Sequence, residues 1–175
     1  MPTIPLSGLM IDVFHNAILQ NYPDTVSGYM SESMVQGCMD YAMTDVYGHQ
    51  PYPDVITKSA ALMYAIITFH PFIDGNKRTA LLSTFFMLYF NGYFFAITEE
   101  AVQFTKQIAE RKIQKVEIVA QWLSAHARKN WFGSLMSRFI ISRMKERERT
   151  VFCITMLRQI SVLLEPFERH YRTKK

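Results

Sequence analysis

The chain has 175 residues, 49% of them hydrophobic, and a formal net charge of +4, which suits one domain with a real core. Its two cysteines, Cys38 and Cys153, stand far apart without a CxxC or His/Cys spacing, which argues against a disulfide framework or a zinc site and fits a reducing cytoplasm. The N-terminal MPTIPLSG lacks the basic-then-apolar layout of a signal peptide, so the expected location is cytoplasmic.

In chain order, Ser7 caps a first helix in which Leu9, Met10, Val13, Phe14, Ala17 and Ile18 recur at helical spacing, and Tyr22-Pro23-Asp24 ends it. Residues 24–30 read as a loop. A second helix starts at Ser31, with Met34, Val35, Cys38, Met39, Ala42 and Met43 as an inner stripe of packing residues. Thr44 to Asp54 then breaks every helical pattern with Gly48, Pro51 and Pro53, while Val46, Tyr47 and Tyr52 favour extended backbone. On residues alone this stretch is either an ordinary loop or an extended flap, and His49 within it reads as solvated.

Thr57 to Phe69 lacks Gly and Pro and predicts a helix; Thr79 to Phe90 predicts another, closed by Asn91-Gly92. The second is apolar enough to raise a membrane reading. Ser83, Thr84 and the Asn91-Gly92 break leave about a dozen continuous residues where a bilayer needs about 20. A central helix buried on all sides is expected instead. Thr98 caps a helix running to about Arg111, and Val116–Ala127 forms the next, with Ile118, Val119, Trp122 and Leu123 inward. Two more helices are expected over Leu135–Met144 and Val151–Leu164, separated by the charged run Lys145–Arg149. Charge is uneven: residues 1–127 carry seven Lys/Arg against eleven Asp/Glu, and residues 128–175 carry twelve against four. A slightly acidic core thus precedes a basic tail region. With no convincing strand beyond the flap, the fold class is all-α.

Between the two central helices lie nine residues, His70-Pro71-Phe72-Ile73-Asp74-Gly75-Asn76-Lys77-Arg78. Pro71 ends the first helix, and Asp74-Gly75-Asn76 is turn chemistry that opens the second. The backbone N–H groups of about residues 75–78 lack intrahelical partners. Lys77 and Arg78 stand in the first turn, where the helix dipole disfavours each cation by about 0.3–1 kcal/mol. A polyanion in the turn reverses that penalty. A helix N-terminus, two cations, a carboxylate and an imidazole therefore converge on one small volume, the outline of a phosphate site with a base beside it. Phe72 and Ile73 read as anchors that pack the loop on the core. Nothing matches a Walker A loop.

These nine residues resemble the signature of the Fic/Doc (death-on-curing) family of protein modifiers, H-P-F-x-D/E-G-N, continued by K-R in its Doc-like members. Tyr47–Pro53 fall in the place of the family's flap. Asn91-Gly92-Tyr93, Ile108-Ala109-Glu110 and Ala120-Gln121-Trp122-Leu123 fall where Doc-like chains carry similar residues, so the resemblance covers about residues 9–127. It implies a Fic/Doc-type helical bundle with a short β-hairpin flap over the active-site loop. Residues 1–127 would be the catalytic core and residues 128–175 a basic helical extension packed on it. By the same resemblance, His70 is the base that takes a proton from a target hydroxyl, and Asp74 holds Mg²⁺ bound to nucleotide phosphates. Gly75, Asn76, Lys77 and Arg78 bind nucleotide phosphates. Tyr47, Gly48, His49, Gln50, Pro51 and Tyr52 form the flap that holds a target segment in extended form. ATP with Mg²⁺ is the implied co-substrate. The implied partners are a target protein with a Ser, Thr or Tyr hydroxyl, a translation factor being one candidate, and a separately encoded antidote protein, as in a toxin–antitoxin pair. Neither a membrane nor a nucleic-acid partner is expected, and the oligomeric state is open.

The transferred group depends on position 77. Family members that transfer AMP usually carry glycine there, followed by R-x-x-R. This chain has Lys77, and Leu81 where the second arginine would stand. Both departures resemble Doc, which transfers the γ-phosphate of ATP to a Ser/Thr hydroxyl, whereas Gly75 matches the AMP-transferring pattern. Phosphoryl transfer is favoured and AMP transfer is the alternative. A self-inhibiting S/T-x-x-x-E spacing occurs at Ser142–Glu146 and Ser161–Glu165, the second followed by Pro166 in place of Gly or Asn. A reading from a different class is a non-catalytic module that grips nucleic acid through the basic region 128–175.

Overall fold

From Thr79 to Phe90, every residue except Tyr89 is buried, and this helix is the axis on which the other elements pack. The computed structural model describes residues 2–129 and 139–157. In it α1 spans Gly8–Asn21, α2 Glu32–Ala42, α3 Val55–Phe69, α4 Asn76–Phe90, β1 Tyr93–Phe95, α5 Glu99–Ala109, α6 Val116–His126 and β2 Ala127–Lys129. A further helix, here α7, spans Glu146–Leu157 among the described residues. The architecture is an all-α bundle: α4 packs against α3, α1 and α5, and α3 packs in turn against α2 and α6. Leu81, Leu82, Phe86, Met87, Leu88 and Phe90 of α4 are fully buried, each burial contributing about 1.5–3 kcal/mol. No helix among the described residues is long and apolar enough to cross a membrane.

The helix starts follow local capping chemistry. Ser7 Oγ accepts from Met10 N–H at 3.4 Å, and Thr98 Oγ1 accepts from Ala101 N–H at 3.3 Å. α3 begins two residues before the expected Thr57 because Asp54 builds a capping box. Its carboxylate accepts from the N–H groups of Ile56 and Thr57 at 2.8 and 3.0 Å, while its own N–H donates to Thr57 Oγ1 at 3.2 Å. α4 begins at Asn76 rather than Thr79, so the cations of the loop already lie on the helix.

Several expected inner residues face outward. The buried stripe of α1 is Met10, Ile11, Phe14, His15 and Ile18, which turns Leu9 to solvent; Met34 of α2 and Ile118 of α6 are exposed as well. In each case the helix has apolar side chains on more than one face, and only its neighbours choose the face that is buried. α2 ends at Ala42, with Met43 as its cap.

β1 and β2 pair antiparallel, Tyr93 opposite Lys129 and Phe95 opposite Ala127, a pairing absent from the sequence reading. Two strands of three residues, separated by α5 and α6, carry no hairpin signal for a sequence argument to find. The charged run at 145–149 does not separate helices. Glu146 and Glu148 open α7, where the dipole favours acids, and Glu148 accepts from Lys145 N–H at 2.7 Å. Thr150, Cys153 and Leu157 of α7 are buried, Phe152 stacks on Tyr89 at 6.2 Å, and Arg149 donates to the Pro5 carbonyl at 3.4 Å. The expected helix over 135–144 is seen only at 139–143. Residues 130–138 and 158–175, with Ser161–Glu165, lie outside the described residues. Both cysteines are buried and unbridged, and burial pushes each thiol up to about 12, so neither is reactive near neutral pH.

One buried amide ties the N-terminal segment to α4. Asn91, 1% exposed, accepts from Ile4 N–H and donates to the carbonyls of Ile4 and Met87, each at 2.8 Å. Replacing it with leucine strands buried polar groups of Ile4, so Asn91→Leu should cost about 1–3 kcal/mol. Thermal unfolding of the two proteins checks this; an unchanged midpoint would contradict it.

Candidate active site

The connection between α3 and α4 turns on two left-handed residues. His70, the C-cap of α3, has φ 51 and ψ 59, and Gly75, the N-cap of α4, has φ 80. Glycine tolerates that conformation freely; histidine does so at a cost, which marks position 70 as held by its surroundings. Between them, Pro71 and Ile73 pair with a short segment at 28–30. Met30 N–H donates to Pro71 O at 2.8 Å and Ile73 N–H to Gly28 O at 3.0 Å. Phe72 is fully buried, as an anchor should be. Ile73 is not: it is half exposed and lies over Gly28, whose missing side chain leaves it room. The bridge to residues 28–30 reverses side chains at each step and sends Ile73 outward.

Asn76 closes the loop from inside. Its Oδ1 accepts from Phe72 N–H at 3.1 Å and its Nδ2 donates to Phe72 O at 2.7 Å, which fixes the amide orientation. The same Nδ2 faces His70 Nδ1 at 3.4 Å. The atom presented to the ring is therefore a donor, Nδ1 is the acceptor, and the neutral imidazole carries its proton on Nε2. The Asn76 side chain, expected among the phosphate donors, is occupied with loop structure. Gly75 N–H is occupied as well, donating to Asp74 Oδ1 at 2.6 Å. Gly75 supplies no side-chain cap, so the first-turn N–H groups of Asn76 and Lys77 are those the helix presents to a ligand.

Arg78 is half buried, and residues after α1 hold its guanidinium. Nη1 donates to Thr25 Oγ1 at 3.1 Å, and the group lies over the Tyr22 ring, 4.3 Å from its centroid. Lys77 is partly exposed and takes part in no ion pair among the described residues. Leu81 is fully buried in the core, so it contributes packing to α4 and no charge to the loop. Ser142 donates to Phe139 O at 3.1 Å.

His15 was missed by the sequence reading, which singled out His70 and read His49 as solvated. His15 is 2% exposed, stacks on the Phe72 ring at 3.7 Å, and sits 3.2 Å from where a Gly75 Cβ would be. Thr79 Oγ1 donates to Gly75 O at 3.1 Å and thus accepts from His15 Nδ1–H at 3.3 Å. This side chain therefore supports both Phe72 and the carbonyl of the left-handed glycine. Its signal in the sequence was only that a histidine stood in register with Ile11 and Ile18 on α1.

The flap residues form a minimal hairpin. Val46 and His49 exchange both backbone hydrogen bonds, at 2.9 and 3.0 Å, around Tyr47 and Gly48, both with positive φ. Tyr47 is fully exposed; Gly48, His49, Gln50 and Pro51 are exposed too. Asp45 accepts from Gly48 N–H at 2.7 Å and from Gln50 Nε2 at 3.1 Å, bonds that hold its carboxyl below the usual range. Tyr52 donates to Tyr41 OH at 2.7 Å, and Tyr41 meets Phe69 edge-on at 5.4 Å. The root of the flap thus packs toward the residue that precedes His70.

The sequence model of the Fic/DOC family matches residues 6–88, a span that holds α1, the flap and the whole α3–α4 loop. The resemblance carried by the nine-residue loop thus extends over residues 6–88. The chain is also 33% identical over 79 residues to the Toxin Doc of Mycolicibacterium smegmatis (strain ATCC 700084 / mc(2)155), an alignment covering 43% of this chain and 61% of that protein. The chain thus spans under two thirds of that relative's length. The Fic/DOC segment includes His15, Tyr22 and Thr25 as well as the nine-residue loop.

Burial, against a smaller opposing pull from Asp74, lowers the His15 pKa from 6.5 to about 4. Unfolded His15 takes up a proton between pH 6.5 and 4 and folded His15 does not, so its contribution is full above 6.5 and is lost as pH falls toward 4. The difference amounts to at most about 3 kcal/mol. His15→Asn, which keeps a short N–H donor, should flatten the fall in stability across that window, as denaturant unfolding at pH 7, 5.5 and 4.5 would reveal. An unchanged slope would show that His15 does not titrate this way.

Proposed function

We propose that this chain is a Doc-like protein phosphotransferase that moves the γ-phosphate of ATP to a Ser or Thr hydroxyl of a target protein, acting as the toxin of a toxin–antidote pair. The observation that carries this reading is the mouth of α4. N–H groups of the first turn, the Arg78 fork held by Thr25 and Tyr22, and Lys77 stand at the end of the short loop that begins at His70. A polyphosphate there satisfies the orphan donors and offsets the dipole penalty on the two cations. The relative whose name is Toxin Doc supports the toxin part of the reading.

The donor set suits magnesium that arrives with its nucleotide. Among the described residues no group of three His, Cys, Asp or Glu side chains could hold a metal alone, and Asp74 is the loop's one carboxylate. Mg²⁺ is commonly held by one or two carboxylates together with substrate phosphates; bound at Asp74, it would neutralise charge on the phosphate oxygens. In the transfer step, the target hydroxyl oxygen forms a bond to the γ-phosphorus as the bond to the β-phosphate oxygen breaks, and ADP leaves. The hydroxyl proton goes to His70. The ring's lone pair is at Nδ1, and the 3.4 Å contact with Asn76 is long enough to yield to a shorter bond from the hydroxyl. The first-turn N–H groups and Arg78 hold the remaining phosphates. The flap residues 47–52 hold the target segment.

AMP transfer is the second reading. Gly75 favours it by sequence pattern, whereas Lys77 and the buried Leu81 favour phosphoryl transfer. They stand where AMP transfer uses a glycine that lets the phosphates approach and a second arginine that balances the terminal ones.

ATP labelled at either the α or the γ position, incubated with Mg²⁺ and a cell lysate, separates the two. Label should pass to protein from the γ position only. His70→Ala should reduce transfer at least about a hundredfold while keeping Mg·ATP binding, and Lys77→Gly should admit some transfer from the α position. Wild-type protein labelling a target only from the α position would refute phosphoryl transfer and leave AMP transfer standing. Arg78→Ala should weaken Mg·ATP binding in calorimetric titration by about tenfold; unchanged affinity would remove the anion cradle.

A further inference from the structure

Residues 45–52 have little regular structure to keep them in place: one two-residue turn closed by a single bridge. Their stance must come from what they touch on the bundle. Lys58, four residues into α3, is 4% exposed although it carries an ammonium group. Its Nζ donates to Gln50 Oε1 at 3.2 Å and to the Tyr52 carbonyl. Gln50 in turn donates from Nε2 to Asp45 Oδ2 at 3.1 Å, and the other oxygen of Asp45 holds the turn at Gly48. A buried lysine, an amide and an exposed carboxylate therefore form one chain from the side of α3 to the flap tip. The amide orientation of Gln50 suits both neighbours at once, oxygen toward the cation and nitrogen toward the anion. A buried ammonium is costly unless its donors are satisfied, and here two flap acceptors satisfy it.

We propose that Lys58 is the positioning residue of the flap, holding residues 45–52 in the stance in which they receive a target segment. The structural half of this inference stands on the contacts alone. The functional half rests on the transferase reading above. The hydrogen bonds of Lys58 go to Gln50 and Tyr52, and it sits in the first turn of α3, at the opposite end of that helix from the α3–α4 loop. Its loss should therefore act on the target and not on the nucleotide. A lysine that merely fills space beside α3 would loosen that helix instead.

The test uses the full chain with Lys58→Met, which keeps the apolar stem and removes the donors. Gln50→Leu breaks the same chain from its exposed end should the buried substitution prevent folding. Amide exchange in residues 45–52 should quicken by about tenfold, with residues 60–67 of α3 as slow as before and Mg·ATP affinity unchanged. Lys58→Arg, which retains donors, should restore part of the protection. Flap exchange equal to wild type in both variants, or loosening of α3 to the same extent as the flap, would overturn the proposal. With γ-labelled ATP and graded lysate protein as the probe, the half-saturating protein concentration should rise several-fold in Lys58→Met while the plateau rate holds. A lower plateau at unchanged half-saturation would overturn the functional half. A wild-type chain that labels nothing would defeat the transferase reading, and the exchange result would still decide whether Lys58 holds the flap.

Discussion

The side-chain amide of Asn76 bonds both backbone groups of Phe72, and the shape of the α3–α4 connection depends on that pair of bonds. With Phe72 held, its ring enters the core and stacks on His15, and the chain on either side must pass through left-handed conformations at His70 and Gly75. The amide also sets which nitrogen of His70 carries the proton. Because the bonds are buried, they are electrostatically stronger than in water, and each partner is costly to leave alone. The loop is consequently rigid by construction, as the proposed presentation of an imidazole and a helix N-terminus to one phosphate requires.

Around this rigid centre the chain uses two contrasting devices. α1 and the residues after it supply fixed supports: His15 under Phe72 and Gly75, Thr25 and Tyr22 under the Arg78 guanidinium. The flap is held from the other side mainly at its root, by Lys58 and by the half-buried Tyr52, which meets Tyr41 through both hydroxyl and ring. The flap's tip has only polar contacts within the flap. Packed aromatic supports do not rearrange cheaply, whereas a short hairpin with an exposed tip opens at low cost. The loop side of the site is thus built stiff and the flap side adjustable, which suits the proposed transfer from a nucleotide to a segment of another protein.

Much of this was legible in the sequence because the signals are local. Ser7, Asp54 and Thr98 cap helices through bonds spanning two or three residues, and a run from Thr79 to Phe90 with almost no charge can only be an interior helix. The nine-residue loop pointed to the Fic/DOC resemblance unaided, since its chemistry is contiguous in the chain. Local signals also misled where a choice of face was involved. Leu9, Met34 and Ile118 are as apolar as their buried neighbours, and Ile73 follows Phe72 directly, yet each turns outward.

By itself, then, the sequence determined the all-α class, the position of the central helix, and the convergence of an imidazole, a carboxylate and two cations at one turn. The tertiary structure alone decided which groups of that turn are spent on holding it and which are left for a ligand. Asn76 and Gly75 N–H proved to be internal, and His15 and Lys58, ordinary in sequence, make buried contacts beside the loop and with the flap. The physical reason is separation: the partners of His15 and Arg78 lie 64 and 53 residues away, and a buried polar contact over that distance leaves no periodicity, cap or motif in the chain. It exists only once the helices have packed.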